Sequence, residues 1–316
     1  MCAVHHSSVV GRADAGVPAH RVPGVTFTRR LLADGETATV LASLRAWEPP
    51  AGCGWQLQAG DLGWALRFEP AIRDEQIRVW WDATGRPAAV VLRDQPGAAR
   101  CAVNPAYLHD SALADAVLAD LARRLERTDG GPWIDPPPGP GALTRALLSA
   151  GYEPDPDIWL HLWRPLPPVP AADGVPVRAY READEAARVA VQHAAFPGSS
   201  LTAERYRRLR AVPGYRPDLD LVADVNGRIT AFCLAWLGPA GGTALLEPAG
   251  THPDHRRRGY ATAVLGAAFR RLAGLGATGV AVLTPVANRP AVALYRSLGF
   301  SAVGERRAYH PAPTDT

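Results

Sequence analysis

The residues best suited to chemistry lie between positions 247 and 300. The first group is Glu247-Pro-Ala-Gly-Thr-His-Pro-Asp-His-Arg-Arg-Arg-Gly-Tyr-Ala261. A strand ends here, an arginine-rich turn follows, and a helix begins near Gly259. The leading N–H groups of a helix have no internal partner, so with the helix dipole they form an anion site. Gly259 and the small Ala261 let a phosphate approach those amides, and Arg256, Arg257 and Arg258 add positive charge beside it. This is the pattern of a pyrophosphate cradle. The plainer reading of the same residues is a solvated arginine turn before an ordinary helix. His252 and His255 sit in the turn and are better placed to bond backbone or ligand than to act as a base.

The second group is Asn288-Arg-Pro-Ala-Val-Ala-Leu-Tyr295-Arg-Ser-Leu-Gly-Phe300. Asn288 and Tyr295 are two helical turns apart and so share a face. Asn288 can bond a ligand amide or simply cap the helix. Tyr295 offers a phenol to a reacting group or fills a core. Glu247 precedes Ala249 and Thr251 by even numbers of residues, so strand alternation puts it on their face. There it can serve as a base or pair with an arginine.

The elements that must position these residues follow from pattern. Val175–Tyr180 reads as a strand, and Glu182–Phe196 and Thr202–Leu209 as helices. Asp220–Val225 and Ile229–Leu237 are strands joined by Asn226-Gly227, a strong hairpin signal. Ala244–Gly250 is the next strand. Gly259–Gly274 is a helix, since Val264, Leu265, Ala268 and Leu272 recur at helical spacing. Val280–Thr284 is a strand, Pro290–Leu298 a helix stopped by Gly299, and Ser301–Ala308 a closing strand.

The first half repeats this order faintly. Thr26–Leu32 reads as a strand, Glu36–Trp47 as a helix, Ile77–Trp81, Ala88–Arg93 and Ala99–Val103 as strands, and Ser111–Glu126 as a helix. Pro105 and Pro253, and likewise Gly151 and Gly299, differ by the same 148 positions, which points to a duplicated domain. The proline-rich stretch 166–174 reads as a linker. The expected division is a tail over 1–22, a first domain over 23–165, and a second over 175–311.

Composition narrows the function classes. The 316 residues carry 34 basic and 31 acidic side chains, so a strongly basic nucleic-acid binder is disfavoured. Every basic residue is Arg, which excludes a Schiff-base lysine and a lysine-bearing phosphate loop. Four scattered cysteines form no metal motif or disulfide framework and fit a reducing cytoplasm. No apolar run approaches the roughly 18 residues of a membrane span. The expectation is a cytoplasmic protein, monomeric or homodimeric, without metal.

Arg256-x-x-Gly259-x-Ala261 followed by Asn288-x-x-Ala291-x-x-Leu294-Tyr295-x-x-Leu298-Gly299-Phe300 resembles the GNAT superfamily of acyl-CoA-dependent N-acyltransferases. The likeness covers residues 175–310 and reaches the first half only through the repeat. It implies an α/β fold of two tandem GNAT-like domains. Each would be a mixed, mostly antiparallel sheet flanked by helices, with a splayed strand pair in the C-terminal domain. It implies acetyl-CoA held by the amides and side chains of Arg256, Arg257, Arg258, Gly259, Tyr260 and Ala261. The pantetheine arm would lie along Ala249, Gly250 and Thr251 and bond Asn288. Tyr295 would be the general acid, and Glu247 the base that deprotonates the acceptor.

The substrate side would include Phe196, Ser199, Tyr206 and Trp236, which serve equally well as core. At the 148-residue offset the first half has Leu108, Ser111, Leu113, Pro140 and Leu147 for Arg256, Gly259, Ala261, Asn288 and Tyr295. It is therefore expected to be non-catalytic. The implied reaction is acetyl transfer from acetyl-CoA to the primary amine of a small molecule. The alternatives are acetylation of a protein N-terminus or lysine, and a non-catalytic acyl-CoA-binding module.

Overall fold

The computed structural model describes residues 26–48, 56–95, 97–125, 132–167 and 174–312. The expected tail over 1–22 and linker residues 168–173 lie outside these. In the first half the order is β1 (Thr28–Arg30), α1 (Thr37–Ala46), α2 (Ala59–Ala65), α3 (Pro70–Gln76), β2 (Ile77–Trp81), β3 (Pro87–Gln95), β4 (Ala98–Val103), α4 (Ser111–Arg124), β5 (Trp133–Asp135), α5 (Ala142–Ser149), β6 (Tyr152–Pro154) and β7 (Trp159–Pro165). The second half has β8 (Val177–Ala179), α6 (Glu185–Ala195), α7 (Ala203–Arg210), β9 (Asp220–Val225), β10 (Arg228–Trp236), β11 (Thr243–Thr251), α8 (Tyr260–Gly274), β12 (Gly279–Pro285), α9 (Arg289–Ser297), β13 (Ser301–Arg306) and β14 (Tyr309–Pro311).

Two seven-stranded sheets form, in the orders β1-β2-β3-β4-β5-β14-β6 and β13-β7-β12-β11-β10-β9-β8. The halves exchange strands. β7 leaves the first half to lie between β12 and β13, and β14 leaves the second to lie between β5 and β6. The boundaries at 165 and 175, drawn from composition, therefore do not separate the two sheets. All pairings are antiparallel except β4–β5 and β11–β12.

The repeat is visible in local geometry. Asn104 and His252 each precede a Pro-initiated single turn and accept a bond from the N–H two residues on, that of Ala106 or Asp254. Gly151 and Gly299 follow α5 and α9 with φ of 79° and 85°, a left-handed stop that favours glycine. Asn226 and Gly227 both have positive φ, as the tight hairpin between β9 and β10 requires.

Strand alternation assigns the core. Leu160 and Leu162 of β7, Val280 and Val282 of β12 and Leu246 of β11 pack with α8 and α9 on one face. On the opposite face Trp236 and Leu245 join Tyr206 and Leu209 of α7 and Val40, Leu41, Leu44 and Leu62 of α1 and α2, so one core spans both halves. A Cβ on Gly60 would come within 2.8 Å of Leu245 and of the Trp236 ring, and one on Gly63 within 2.7 Å of that ring. Two glycines one helical turn apart thus let the indole lie flat on α2. Glu69, at the start of α3, accepts bonds from Arg205 (3.0 Å) and Arg208 (2.7 Å) of α7, pinning the same interface.

Candidate active site

The site begins where β11 and β12 part. They pair only at Thr243–Leu245 against Gly279–Ala281. Beyond that, β11 keeps its bonds to β10 on one edge, while β12 turns its other edge to β7. Ala249, Gly250 and Thr251 are half-buried along the open edge of β11. The register slips between Cys233 and Ala235, which face Ala249 and Leu246. This bulge at Glu247-Pro248 breaks the two-residue alternation. Ala249 consequently packs in the same core as Leu246, and the sequence argument that placed Glu247 on the face of Ala249 fails. Glu247 stands instead at the point where the strands diverge. Its backbone carbonyl accepts a bond from Nε1 of Trp236 at 2.8 Å.

At the end of β11 the chain makes one turn over Pro253–His255 and enters α8. His252 uses Nδ1 to accept the Asp254 N–H at 3.2 Å. Arg257 and Gly259 both have positive φ, 62° and 79°. The first bond of α8 runs from Ala263 N–H to the Gly259 carbonyl. The N–H groups of Tyr260, Ala261 and Thr262 therefore have no partner in the helix. Arg256, Arg257 and Arg258 are exposed around them and form no ion pair among the described residues. Main-chain donors and guanidinium groups thus lie together at the start of α8, an arrangement able to hold an anion.

Asn288 caps α9, its Oδ1 accepting the Ala291 N–H at 3.3 Å. Tyr295 is buried, edge-on to Phe300 at 5.4 Å. Burial, then the nearby Cys233 and Glu247, push its phenol well above the ordinary range, so it stays protonated. Burial likewise pushes up the Cys233 thiol, which is not a nucleophile in this state.

Phe196 is 40% exposed and lies over the open strand: a Cβ on Gly250 would meet its ring at 3.0 Å. Ser199 is half-buried in the bend after α6, its Oγ accepting the Leu201 N–H. Two expected substrate residues belong elsewhere. Tyr206 is fully buried and donates its hydroxyl to Asp220, and Trp236 is locked against α2. Both are core because the first half covers that face.

Sequence reasoning missed the residues that face the fork from across the interface. A small void of about 10 Å³, room for one water, is lined by Gln56, Gln58, Asp61, His161, Leu245, Leu283 and Arg306, among others. Asp61 accepts bonds from the Gln58 N–H and from Arg100, both at 2.8 Å. Arg306 donates to Asp135. Burial pushes His161 down to about 4, so its ring is neutral at physiological pH. The only signal for these residues in the sequence was the polar His161 inside an apolar strand.

The first sheet parts in the same way, since β4 pairs with β5 only through Arg100. There the gap is sealed. The Leu108 carbonyl accepts the Ala142 N–H at 2.8 Å, and Asp110 places its own carboxylate on the Leu113 N–H at the start of α4. Leu147, at the position of Tyr295, is fully buried.

Residues 188–300 match the Acetyltransferase (GNAT) family model. That stretch is the part of the chain similar to a GNAT acetyltransferase domain. Curated relatives include mycothiol acetyltransferases of Clavibacter michiganensis subsp. michiganensis (38% identical over 91 residues, 28% of this chain and 29% of that protein) and of Nocardioides sp. (30% over 187 residues, 52% and 62%). A third, from Pseudarthrobacter chlorophenolicus, is 28% identical over 239 residues, 70% of this chain and 72% of that protein. The chain thus spans less than two thirds of the first two relatives. Among solved structures, a tandem GNAT protein from the clavulanic acid biosynthesis pathway superposes with TM-score 0.58 at 19% identity, covering 92% of this chain and all of that one. A GCN5-related N-acetyltransferase from Sphaerobacter thermophilus gives 0.55 at 19%, covering 90% and 94%. These likenesses establish the fold: two GNAT-like units in tandem. Among the described residues no helix is long and apolar enough to cross a membrane, and no cluster of His, Cys, Asp and Glu could hold a metal.

Proposed function

We propose that this protein transfers an acetyl group from acetyl-CoA to the primary amine of a small molecule, at the fork of β11 and β12. The observation that carries the reading is the pairing of an open β11 edge with an N–H-lined, arginine-flanked start to α8. The diphosphate binds the amides of Gly259 to Thr262, with Arg256, Arg257 and Arg258 beside them. The pantetheine arm runs along Ala249–Thr251 and reaches the Nδ2 of Asn288, whose Oδ1 is engaged as a cap. A β11 N–H polarises the thioester carbonyl. Glu247 takes a proton from the incoming ammonium, the neutral amine attacks the thioester carbonyl, and the carbon–sulfur bond breaks as Tyr295 protonates the departing thiolate; the second proton shed by the nitrogen as the amide forms restores the phenol.

The first unit is non-catalytic in this reading. Its cradle is filled by Asp110, and Leu147 leaves it no phenol. It covers the face of the second sheet that an open peptide groove would need, which favours a small acceptor over a protein.

The test is release of CoA thiol from acetyl-CoA in the presence of amines, with mass analysis of the products. A mycothiol-related amine heads the panel because of the relatives' names, and peptides form a separate arm. Amine-dependent release is expected. Release with peptides alone would move the acceptor to proteins, and acetyl-CoA binding without release to any amine would leave only a binding module.

A further inference from the structure

Gly250 is a crowded point of the open strand. It faces Phe232 across the β10–β11 register, and a Cβ there would come within 2.7 Å of the Phe232 ring, 2.9 Å of Ala195 and 3.0 Å of Phe196. The ring from β10 and the end of α6 therefore press directly on the backbone of β11. The His252 N–H donates to the Thr230 carbonyl of β10 at 2.9 Å. Alternation turns the Gly250 N–H to β10 as well, and those of Ala249 and Thr251 to the open edge. The height of Gly250 thus sets where those two N–H groups point.

Behind Phe232 lies a buried charge. Arg188 of α6 is fully buried, and its guanidinium carbon sits 3.6 Å from the centre of the Phe232 ring. Its Nη1 donates to Gln192, one helical turn on, at 3.0 Å. Asp220, also fully buried, has a carboxylate oxygen 3.9 Å from Nε, beyond hydrogen-bond distance. The two charges attract, but the aromatic face and Gln192 orient the guanidinium. Such a pair is a weak source of stability, because both ions lose their hydration and gain no direct bond to each other. Asp220 is held by the hydroxyls of Tyr206 and Tyr215, and Tyr206 belongs to the core shared with the first unit. A chain of contacts thus runs from the first unit through Tyr206, Asp220, Arg188 and Phe232 to Gly250.

We propose that Arg188 is a positioning residue: laid against Phe232, it holds β11 at Gly250 so that the N–H groups of the open edge are aimed at the thioester carbonyl. This rests on acetyl-CoA lying along β11 in the proposed reaction. Arg188 acts only through the ring. Lysine would keep a charge opposite Asp220 but has no plane to lay on an aromatic face, so the two roles can be separated.

The experiment follows the carbonyl stretch of acetyl-CoA, isotope-labelled at its acetyl carbonyl, by difference infrared spectroscopy. Affinity is measured separately by calorimetry. Hydrogen bonds to the carbonyl lower its frequency, so the band is expected to fall when the wild type binds. Arg188→Lys and Phe232→Leu should each lose most of that fall, with acetyl-CoA affinity near that of the wild type because the amides of α8 are untouched. The double variant should lose no more than either single one, since both act through the same ring. Where Arg188→Lys fails to fold, Arg188→Met with Asp220→Asn removes both charges together and is expected to give the same loss. A wild-type band that does not fall, a full fall retained in the folded variants, or additive losses in the double variant would overturn the inference. A wild type that does not bind acetyl-CoA would overturn the transferase reading as well.

Discussion

The Trp236 indole donates to the Glu247 carbonyl at 2.8 Å while its ring lies flat against Gly60 and Gly63 of the other unit. A residue at the centre of the interface thereby fixes the backbone at the point where the second sheet divides. Trp236→Phe keeps most of the apolar contact and loses that bond. It is expected to cost about 1 kcal/mol of stability, by denaturant titration, and to lower turnover more than acetyl-CoA affinity. Equal loss of both would detach the indole bond from positioning of Glu247.

Gly63→Val should be more damaging. The new side chain would meet the indole at 2.7 Å, well inside contact distance, and neither β10 nor α2 can retreat without opening the shared core. A loss of about 1–3 kcal/mol is expected, read as a lower denaturation midpoint with an unchanged slope.

Tyr295→Phe should lower turnover on the order of 10²-fold with near-normal acetyl-CoA binding, because it removes one proton and little volume. Steady-state kinetics alongside calorimetry check this. Unchanged turnover excludes the phenol as the acid.

Gly259→Glu should abolish acetyl-CoA binding by setting a carboxylate before the free amides of α8. Gly259→Ala keeps the space, since nothing lies within 4 Å of its Cβ, and pays only for φ of 79°. That is about 1–2 kcal/mol of stability. The wild type should bind one acetyl-CoA per chain, as Asp110 already occupies the corresponding amide in the first unit. A second site would refute the sealed first cradle.

His161 supplies a pH signature. Its folded-state pKa is depressed to about 4 from the ordinary 6.5, because burial disfavours the cation, with Asp61 and Arg100 acting in opposite directions. Between those values the unfolded chain binds a proton that the folded one does not. The stability conferred by the neutral form is thus full above pH 6.5 and lost as pH falls towards 4. The loss amounts to roughly 3 kcal/mol at most. His161→Gln should flatten this part of the stability profile. An unchanged acid limb would show that the imidazole accepts its proton in place.

Much of the second unit was legible because local signals agreed there. Asn226-Gly227 demanded its hairpin, the Val264, Leu265, Ala268 and Leu272 spacing demanded α8, and Gly299 demanded a stop. Gly259 begins α8 with a positive φ that residue type alone allows, so the start of that helix was legible too. Helix α2 was not legible. Its glycines weaken it locally, and it forms because Trp236 and Leu245 pack against it.

Three things were decided only by tertiary structure. The bulge at Glu247 depends on how β10 pairs with β11, which strand alternation cannot foresee. The burial of Tyr206 and Trp236 depends on a second unit covering their face. The exchange of β7 and β14 depends on which sheet edge each strand meets, and nothing in Trp159–Pro165 distinguishes one edge from another. The amino-acid order determined most elements of the second unit and the landmarks repeated between the halves, because each is a local consequence of residue type. Long-range packing alone decided which half supplies His161 to the fork, since strand partners are chosen by the whole buried surface.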